Sequence, residues 1–150
     1  MYKQILVPLD GSELAEGAVS HAEELAKAFD AKVTLLSVIE PVAVYSQPGV
    51  VGPVVSVSMD MEEEVRNVTE YLDNIADKLR KDGVDVMRVV REGDPASQIC
   101  DYAHENRVDL IVMSTHGRSG LQRLVYGSVA EHVLHNARVP VLLVRVRTKD

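Results

Sequence analysis

The sequence predicts an α/β domain, a doubly wound five-stranded parallel sheet with helices on both faces, and two observations lead to it. Five short, β-branched runs are mostly unbroken in their apolar character, the pattern of strands buried on both faces. Segments with apolar residues at helical spacing stand between them, so strand and helix take turns in the order βαβαβαβαβ. Such alternation implies right-handed crossovers, which lay helices on both faces of a parallel sheet.

Gln4 to Leu9 (QILVPL) is the first strand. Ser12 to Phe29 follows as a helix capped by Ser12, with apolar residues at Leu14, Ala18, Ala22, Leu25 and Phe29. Lys32 to Ile39 (KVTLLSVI) is the second strand. Glu40 to Met59 stands outside the alternation: it is apolar, long for a strand-to-helix connection, and broken by Pro41, Pro48, Gly49, Gly52 and Pro53. It is expected to be a lid over the site, a contact for a partner chain, or a plain connection. Met61 to Leu79 repeats apolar residues at Val65, Val68, Leu72, Ile75 and Leu79; Asp60 with Glu63 forms a capping box before it, and Gly83 follows Lys81 where it ends. Asp85 to Arg91 (DVMRVVR) is the third strand, and Asp94-Pro95 supplies an N-cap and a first-turn proline to the third helix. Asp109 to Ser114 (DLIVMS) is the fourth strand. Gly127-Ser128 precedes the fourth helix, whose buried face is Val129, Ala130, Val133, Leu134 and Ala137, and Val139 to Val146 (VPVLLVRV) is the fifth strand.

Open parallel sheets bind ligands beyond the carboxyl ends of their strands, where the strand order reverses. Two strand ends carry polar, backbone-permissive residues: Leu9-Asp10-Gly11-Ser12 after strand one, and Ser114 to Ser128 after strand four. If these are neighbours, the order is 3-2-1-4-5 and the site lies between them.

At 150 residues and 46% hydrophobic, the chain has the size of one domain, expected to span residues 1–150. A formal net charge of -7 argues against a nucleic-acid backbone or an acidic membrane surface as main partner. The single Cys100 leaves no internal disulfide to form and fits a reducing compartment, and its place beside Ile99 and Ala103 suits core packing. Met1 to Asp10 is neither a secretory leader nor a membrane span, so a cytoplasmic location is expected.

Ser114 to Leu134 gathers Gly117, Gly120 and Gly127 with Arg118, Arg123 and His116 before a helix. Glycines let a backbone turn tightly and come close to a ligand. Ser128 with Glu131 three residues on reads structurally as a capping box. The functional reading sets a phosphate at the same helix N-terminus, where free N–H groups, the macrodipole and the Ser128 hydroxyl converge. His116 either touches that ligand or belongs to a turn, and Asp10 is either a ligand group or the polar residue that opens the turn into the first helix. No G-x-x-x-x-G-K-[ST] occurs, and "PLDGSELAEG" stands where a dinucleotide-binding fold has G-x-G-x-x-G. His132 and His135 fall on the polar face of the fourth helix, a solvated pair and no metal site; His21 and His104 stand alone. No catalytic residue is assigned, since no nucleophile with its base can be named from order alone.

The opening "ILVPLDGSELA", the closing "DLIVMSTHGRSGLQRLVYGSVAEHVLHNARVPVLLVR" and the element order between them resemble the universal stress protein family along essentially the whole chain. In ATP-binding members the pattern is Gly, two residues, Gly, nine residues, Gly, then Ser or Thr. Gly117, Gly127 and Ser128 match its last three positions, and Ser114 stands at the first. The resemblance implies strand order 3-2-1-4-5, adenine near Asp10 and the backbone of Val38, and ribose and phosphates on the loop from Ser114 through Gly117 to Gly127 and Ser128. It also implies a divalent cation, Mg2+ or Mn2+, on the phosphates. Pro8, Leu9, Met113, His116, Arg118 and Val129 complete the expected ligand-binding set.

The expectation is a cytoplasmic regulator that binds ATP, hydrolyses it slowly or not at all, and dimerises through the long apolar strand Val139 to Val146, edge to edge. An interaction module of the same fold without a nucleotide is the first alternative. A nucleotide hydrolase is another, and a phospho-acceptor receiver domain a third, although Asp10 lacks the acidic partner a receiver needs.

Overall fold

The computed structural model describes residues 1–41, 57–115 and 127–145, with the backbone alone described for 57–60. Nine elements alternate: β1 (Gln4–Pro8), α1 (Glu13–Phe29), β2 (Lys32–Ile39), α2 (Val57–Lys81), β3 (Asp85–Glu92), α3 (Pro95–Glu105), β4 (Leu110–Ser114), α4 (Ser128–Asn136) and β5 (Val141–Val144). The five strands form one parallel sheet in the order β3-β2-β1-β4-β5, as expected for a doubly wound fold.

Alternation along the central strands divides the core into two layers. Ile5 and Val7 of β1, Val33 and Leu35 of β2 and Val112 of β4 point to one face, where α1 and α2 cover them. Leu6, Leu36, Ile111 and Met113 point to the other, beneath α3 and α4. The face that α1 buries is narrower than the sequence suggests: Ala15, Ala18, Ala22 and Ala26 are its buried residues, while Leu14, Leu25 and Phe29 flank them half-buried. A line of alanines lets the helix lie close to the sheet, and the larger side chains close the gap on either side. In α4 the buried residues are Ala130 and Val133, and Leu134 is exposed.

Several boundaries differ from expectation for local reasons. α2 begins at Val57, so Asp60 lies inside the helix and not at its N-cap position; 57–60 contain neither the Gly nor the Pro that would stop it. β5 covers only Val141–Val144. Pro140 cannot donate to a ladder, although its carbonyl accepts from the Ile111 N–H at 3.0 Å. Gly83 closes α2 as expected, with φ of +85°, and Asp94 with Pro95 opens α3.

One long-range contact fixes the start of the sheet. The Asp109 carboxylate, just before β4, accepts from the Lys3 N–H at 2.8 Å and the Gln4 N–H at 2.9 Å. The Asp109 N–H donates to the Gln4 carbonyl at 2.8 Å. Both strands are thereby held at their amino ends and are free to diverge at the other.

Candidate functional site

The divergence happens at Pro8 and Leu9. Residues of β1 alternate between its two neighbours, and Leu9 belongs to the set that faces β2, its N–H donating to the Leu36 carbonyl at 2.8 Å. Pro8 therefore faces β4 and has no N–H to offer it. Pairing of β1 with β4 covers only Ile5 with Leu110 and Leu6 with Ile111. A crevice opens beyond these pairs, at the place where the strand order reverses, between β1 and β4.

Among the described residues this crevice is a cleft of about 960 Å³. Pro8, Leu9 and Asp10 enter it from β1, Val38 from β2, Met113 and Ser114 from β4, and Gly127, Ser128 and Val129 from the start of α4. These are all the expected ligand-binding residues that fall on described positions, brought together from parts of the chain far apart in sequence. His116, Gly117 and Arg118 lie outside the described residues, as do Gly120, Arg123 and the greater part of the Glu40 to Met59 loop.

The starts of α1, α3 and α4 border the cleft, and those of α1 and α4 are built differently. At α1 the Ser12 hydroxyl accepts from the Ala15 N–H at 3.1 Å, while Asp10 Oδ1 accepts from the Ser12 N–H at 2.9 Å and the Ser12 hydroxyl at 2.5 Å. Gly11, with φ of +85°, makes that tight turn and has open space where a Cβ would stand. At α4 the N-cap is Gly127, without a side-chain cap hydrogen bond among the described residues. Ser128 is the first helical residue rather than the cap, so the expected Ser128–Glu131 capping box does not form. Glu131 instead lies 4.0 Å from His135 along the exposed face. Gly127 has φ of -51° and nothing within 4 Å of a Cβ, so neither backbone strain nor packing among the described residues calls for glycine there.

The wall formed by α2 was not foreseen. Glu64, Asn67, Val68 and Tyr71 line the cleft on one side, opposite Pro95 and Ile99 at the start of α3. The Tyr71 hydroxyl is buried without a hydrogen-bond partner among the described residues. Burial first, then the Glu16 carboxylate beside it, raise the phenol well above its ordinary pKa and keep it neutral, although Glu16 does not reach hydrogen-bonding geometry. Ser37, also in the cleft, is buried and donates its hydroxyl to the Leu9 carbonyl at 2.7 Å. It was legible, with Thr34, as a polar residue inside the otherwise apolar run of KVTLLSVI. Tyr71 and its neighbours carried no such signal, because their helical spacing is equally that of a core stripe.

The remaining titratable groups stand elsewhere. His132 and His135 are exposed on α4, as the helical pattern predicts, and no three His, Cys, Asp or Glu side chains among the described residues converge to hold a metal ion. Cys100 packs half-buried against the α3–α4 layer, and burial with the neighbouring Asp101 raises its thiol pKa, which disfavours the nucleophilic thiolate. No helix among the described residues is long and apolar enough to cross a membrane.

A family model described as the universal stress protein family matches residues 1–145. The chain belongs to that family. A universal stress protein of Methanocaldococcus jannaschii is 36% identical over 150 residues, an alignment covering 100% of this chain and 86% of the relative. Universal stress protein YxiE of Bacillus subtilis is 33% identical, with 97% of this chain and 100% of the relative covered. Among solved structures, universal stress protein UspA from Lactobacillus plantarum superposes with a TM-score of 0.82 at 27% identity, covering 96% of this chain and 98% of the other. The fold is also that of the Archaeoglobus fulgidus universal stress protein in complex with dAMP and of an Arabidopsis thaliana family member with AMP bound, at TM-scores of 0.68 and 0.67. At 22% and 20% identity these two likenesses speak to the fold alone.

Proposed function

We propose that this chain is a regulatory nucleotide-binding domain of the universal stress kind, spanning residues 1–150, that holds ATP with Mg2+ or Mn2+ in the β1–β4 cleft. The observation that carries the reading is the start of α4. Among the described residues its N–H groups open on the cleft without a side-chain cap, and the residue before them is a glycine that neither its φ nor packing among those residues requires. An uncapped helix N-terminus with room for close approach suits a phosphate. Asp10 and the Val38 backbone would take the adenine; Ser114, Gly127 and Ser128, with Met113 and Val129 beside them, would take ribose and phosphates. Pro8 and Leu9 shape the floor, and His116, Gly117 and Arg118 would complete the phosphate loop. The cation would shield the phosphates from the Asp10, Glu40 and Glu64 carboxylates that share the cleft.

No nucleophile with a positioned base stands in the cleft among the described residues, so binding rather than turnover is the assigned role, with ATPase activity weak at most. Self-association through β5 belongs to the same reading. That strand is the sheet edge beside β4, with Leu142 exposed and Val141 and Leu143 half-buried, an apolar edge suited to pairing with a second copy. A cytoplasmic location is assigned with it, and neither nucleic acid nor membrane is a partner.

Calorimetric titration with ATP and Mg2+, beside NAD and a sugar phosphate as controls, tests the ligand. Saturable heat with ATP alone is expected. No heat with millimolar ATP and metal would leave the interaction module without a nucleotide as the better reading. Light scattering at tens of micromolar, on the order of ordinary interface affinities, tests the pairing, and a monomer would refute it.

A further inference from the structure

The β1–β2 ladder ends in an unusual way. Lys32 and Leu36 of β2 bond to β1: the Lys32 N–H donates to the Lys3 carbonyl at 2.9 Å, and the Leu36 carbonyl accepts from the Leu9 N–H at 2.8 Å. Ile39 faces the other way, its carbonyl accepting from the Gly93 N–H at 3.0 Å beyond β3. With a period of two, Val38 is the next residue of β2 to face β1, and the next rung would run from its N–H to the Leu9 carbonyl. That rung is absent among the hydrogen bonds of the described residues. The Leu9 carbonyl instead accepts from the Ser37 hydroxyl at 2.7 Å, in a bond that is buried.

We propose that Ser37 is a positioning residue for the ligand: by occupying the Leu9 carbonyl with its hydroxyl, it ends the ladder one rung early and leaves the Val38 N–H as a donor on the cleft wall. Three features of the site agree. Ser37 is buried at 4% exposure and Val38 lines the cleft beside it. The N–H lies in the plane of the sheet just past the point where β1 turns away, so it addresses a planar ligand edge entering the crevice between strands. Finally, a buried carbonyl and a buried hydroxyl satisfy one another, so the free donor is obtained without an orphaned acceptor. The partner on the ligand is a neutral acceptor on a heterocycle, such as a ring nitrogen. Ser37 itself need not touch the ligand.

This assignment rests on the nucleotide reading for its affinity arm only. Amide hydrogen exchange of Val38, measured by NMR on the nucleotide-free protein, tests the first step directly. Ser37→Ala releases the Leu9 carbonyl, the Val38 N–H closes the rung, and its exchange slows relative to the unmodified protein. ATP titration tests the second step: Ser37→Ala binds about two- to twelvefold more weakly, the range for one lost hydrogen bond, while Ser37→Thr, which keeps the hydroxyl and suits a strand, restores both affinity and fast exchange. A merely structural hydroxyl would lower the melting temperature of Ser37→Ala and leave ATP affinity where it was, and that result overturns the proposal. Unchanged Val38 exchange in Ser37→Ala overturns it as well. Should the unmodified protein bind no ATP, the nucleotide reading fails, and the exchange measurement still decides the role of Ser37 in freeing Val38.

Discussion

α1 follows β1 and α4 follows β4, the two strands between which the order reverses, and both helices begin at the same cleft, yet one start is closed and the other open. α1 satisfies itself: Ser12 bonds the Ala15 N–H, and Asp10 ties back the Ser12 backbone and hydroxyl. α4 has Gly127 at its cap, no side-chain bond and an exposed Ser128 after it. Every helix has orphan N–H groups at its start, and a protein either caps them or presents them. Here the two solutions sit side by side, so the closed start serves as an internal control for the open one.

The largest expected effect comes from closing the open start. Gly127→Val meets no described atom and needs no unusual φ, so it should fold, with a melting temperature lowered only by the poorer N-cap that Val makes in place of Gly. It places branched bulk where a phosphate must approach, and ATP affinity should fall by more than about tenfold, which is about 1.4 kcal/mol. Titration and thermal melting on one preparation separate the two properties. A folded Gly127→Val with unchanged affinity would remove α4 from the site.

Smaller effects should separate the two serines. Ser12→Ala removes a cap and should cost about 1 kcal/mol of stability, lowering the melting temperature by about 2–4 °C for a chain of this size. Ser128→Ala removes no cap, so its melting temperature should stay within the change of about 0.5 kcal/mol typical of a surface position, while ATP affinity falls severalfold. Equal losses of stability would mean that Ser128 caps α4 after all.

The smallest effect belongs to a third helix start. Asp94 caps α3 by accepting from the Ser97 N–H at 3.0 Å and the Ser97 hydroxyl at 2.8 Å, and these bonds hold its carboxyl below the ordinary 3.8. A folded-state pKa below the unfolded one means that the charge stabilises the fold above pH 3.8 and that this contribution is lost as pH falls through the lower, folded value. Asn caps about as well as Asp without titrating. Asp94→Asn should therefore match the unmodified protein at neutral pH and lose less stability in acid. Parallel melting curves in acid would show that the Asp94 charge contributes nothing.

Much of this was legible in the residues. Lys32 to Ile39 is a strand with the predicted bounds, and the polar turns after β1 and β4 marked the strand ends that meet where the order reverses; the order 3-2-1-4-5 followed on the condition that they were neighbours, and from the family resemblance. What escaped was whatever depends on register between elements. The α2 wall with Tyr71 could not be found, since its approach to the cleft is set by packing and not by its own pattern. The Ser128–Glu131 spacing satisfied a capping rule that the backbone then declined by starting the helix at Ser128 itself. Ser37 was visible as a polar interruption, but its meaning needed the ladder beside it.

The bonds from Asp109 to Lys3 and Gln4 carry a consequence for how the protein is made. They join residues 106 and 105 positions apart, whereas β1 meets β2 across a separation of only 28, as from Leu9 to Ser37. Closing the longer loop costs more chain entropy, and β4 emerges during synthesis long after β2. Half the cleft, the Asp10–Ser37–Val38 side, can therefore assemble while the half bearing Ser114 and Gly127 is still being translated. Until β4 arrives, β1 is a raw sheet edge with the backbone groups of Gln4 and Leu6 that face β4 left unpaired, so slow translation between β3 and β4 should raise the yield of aggregated chains.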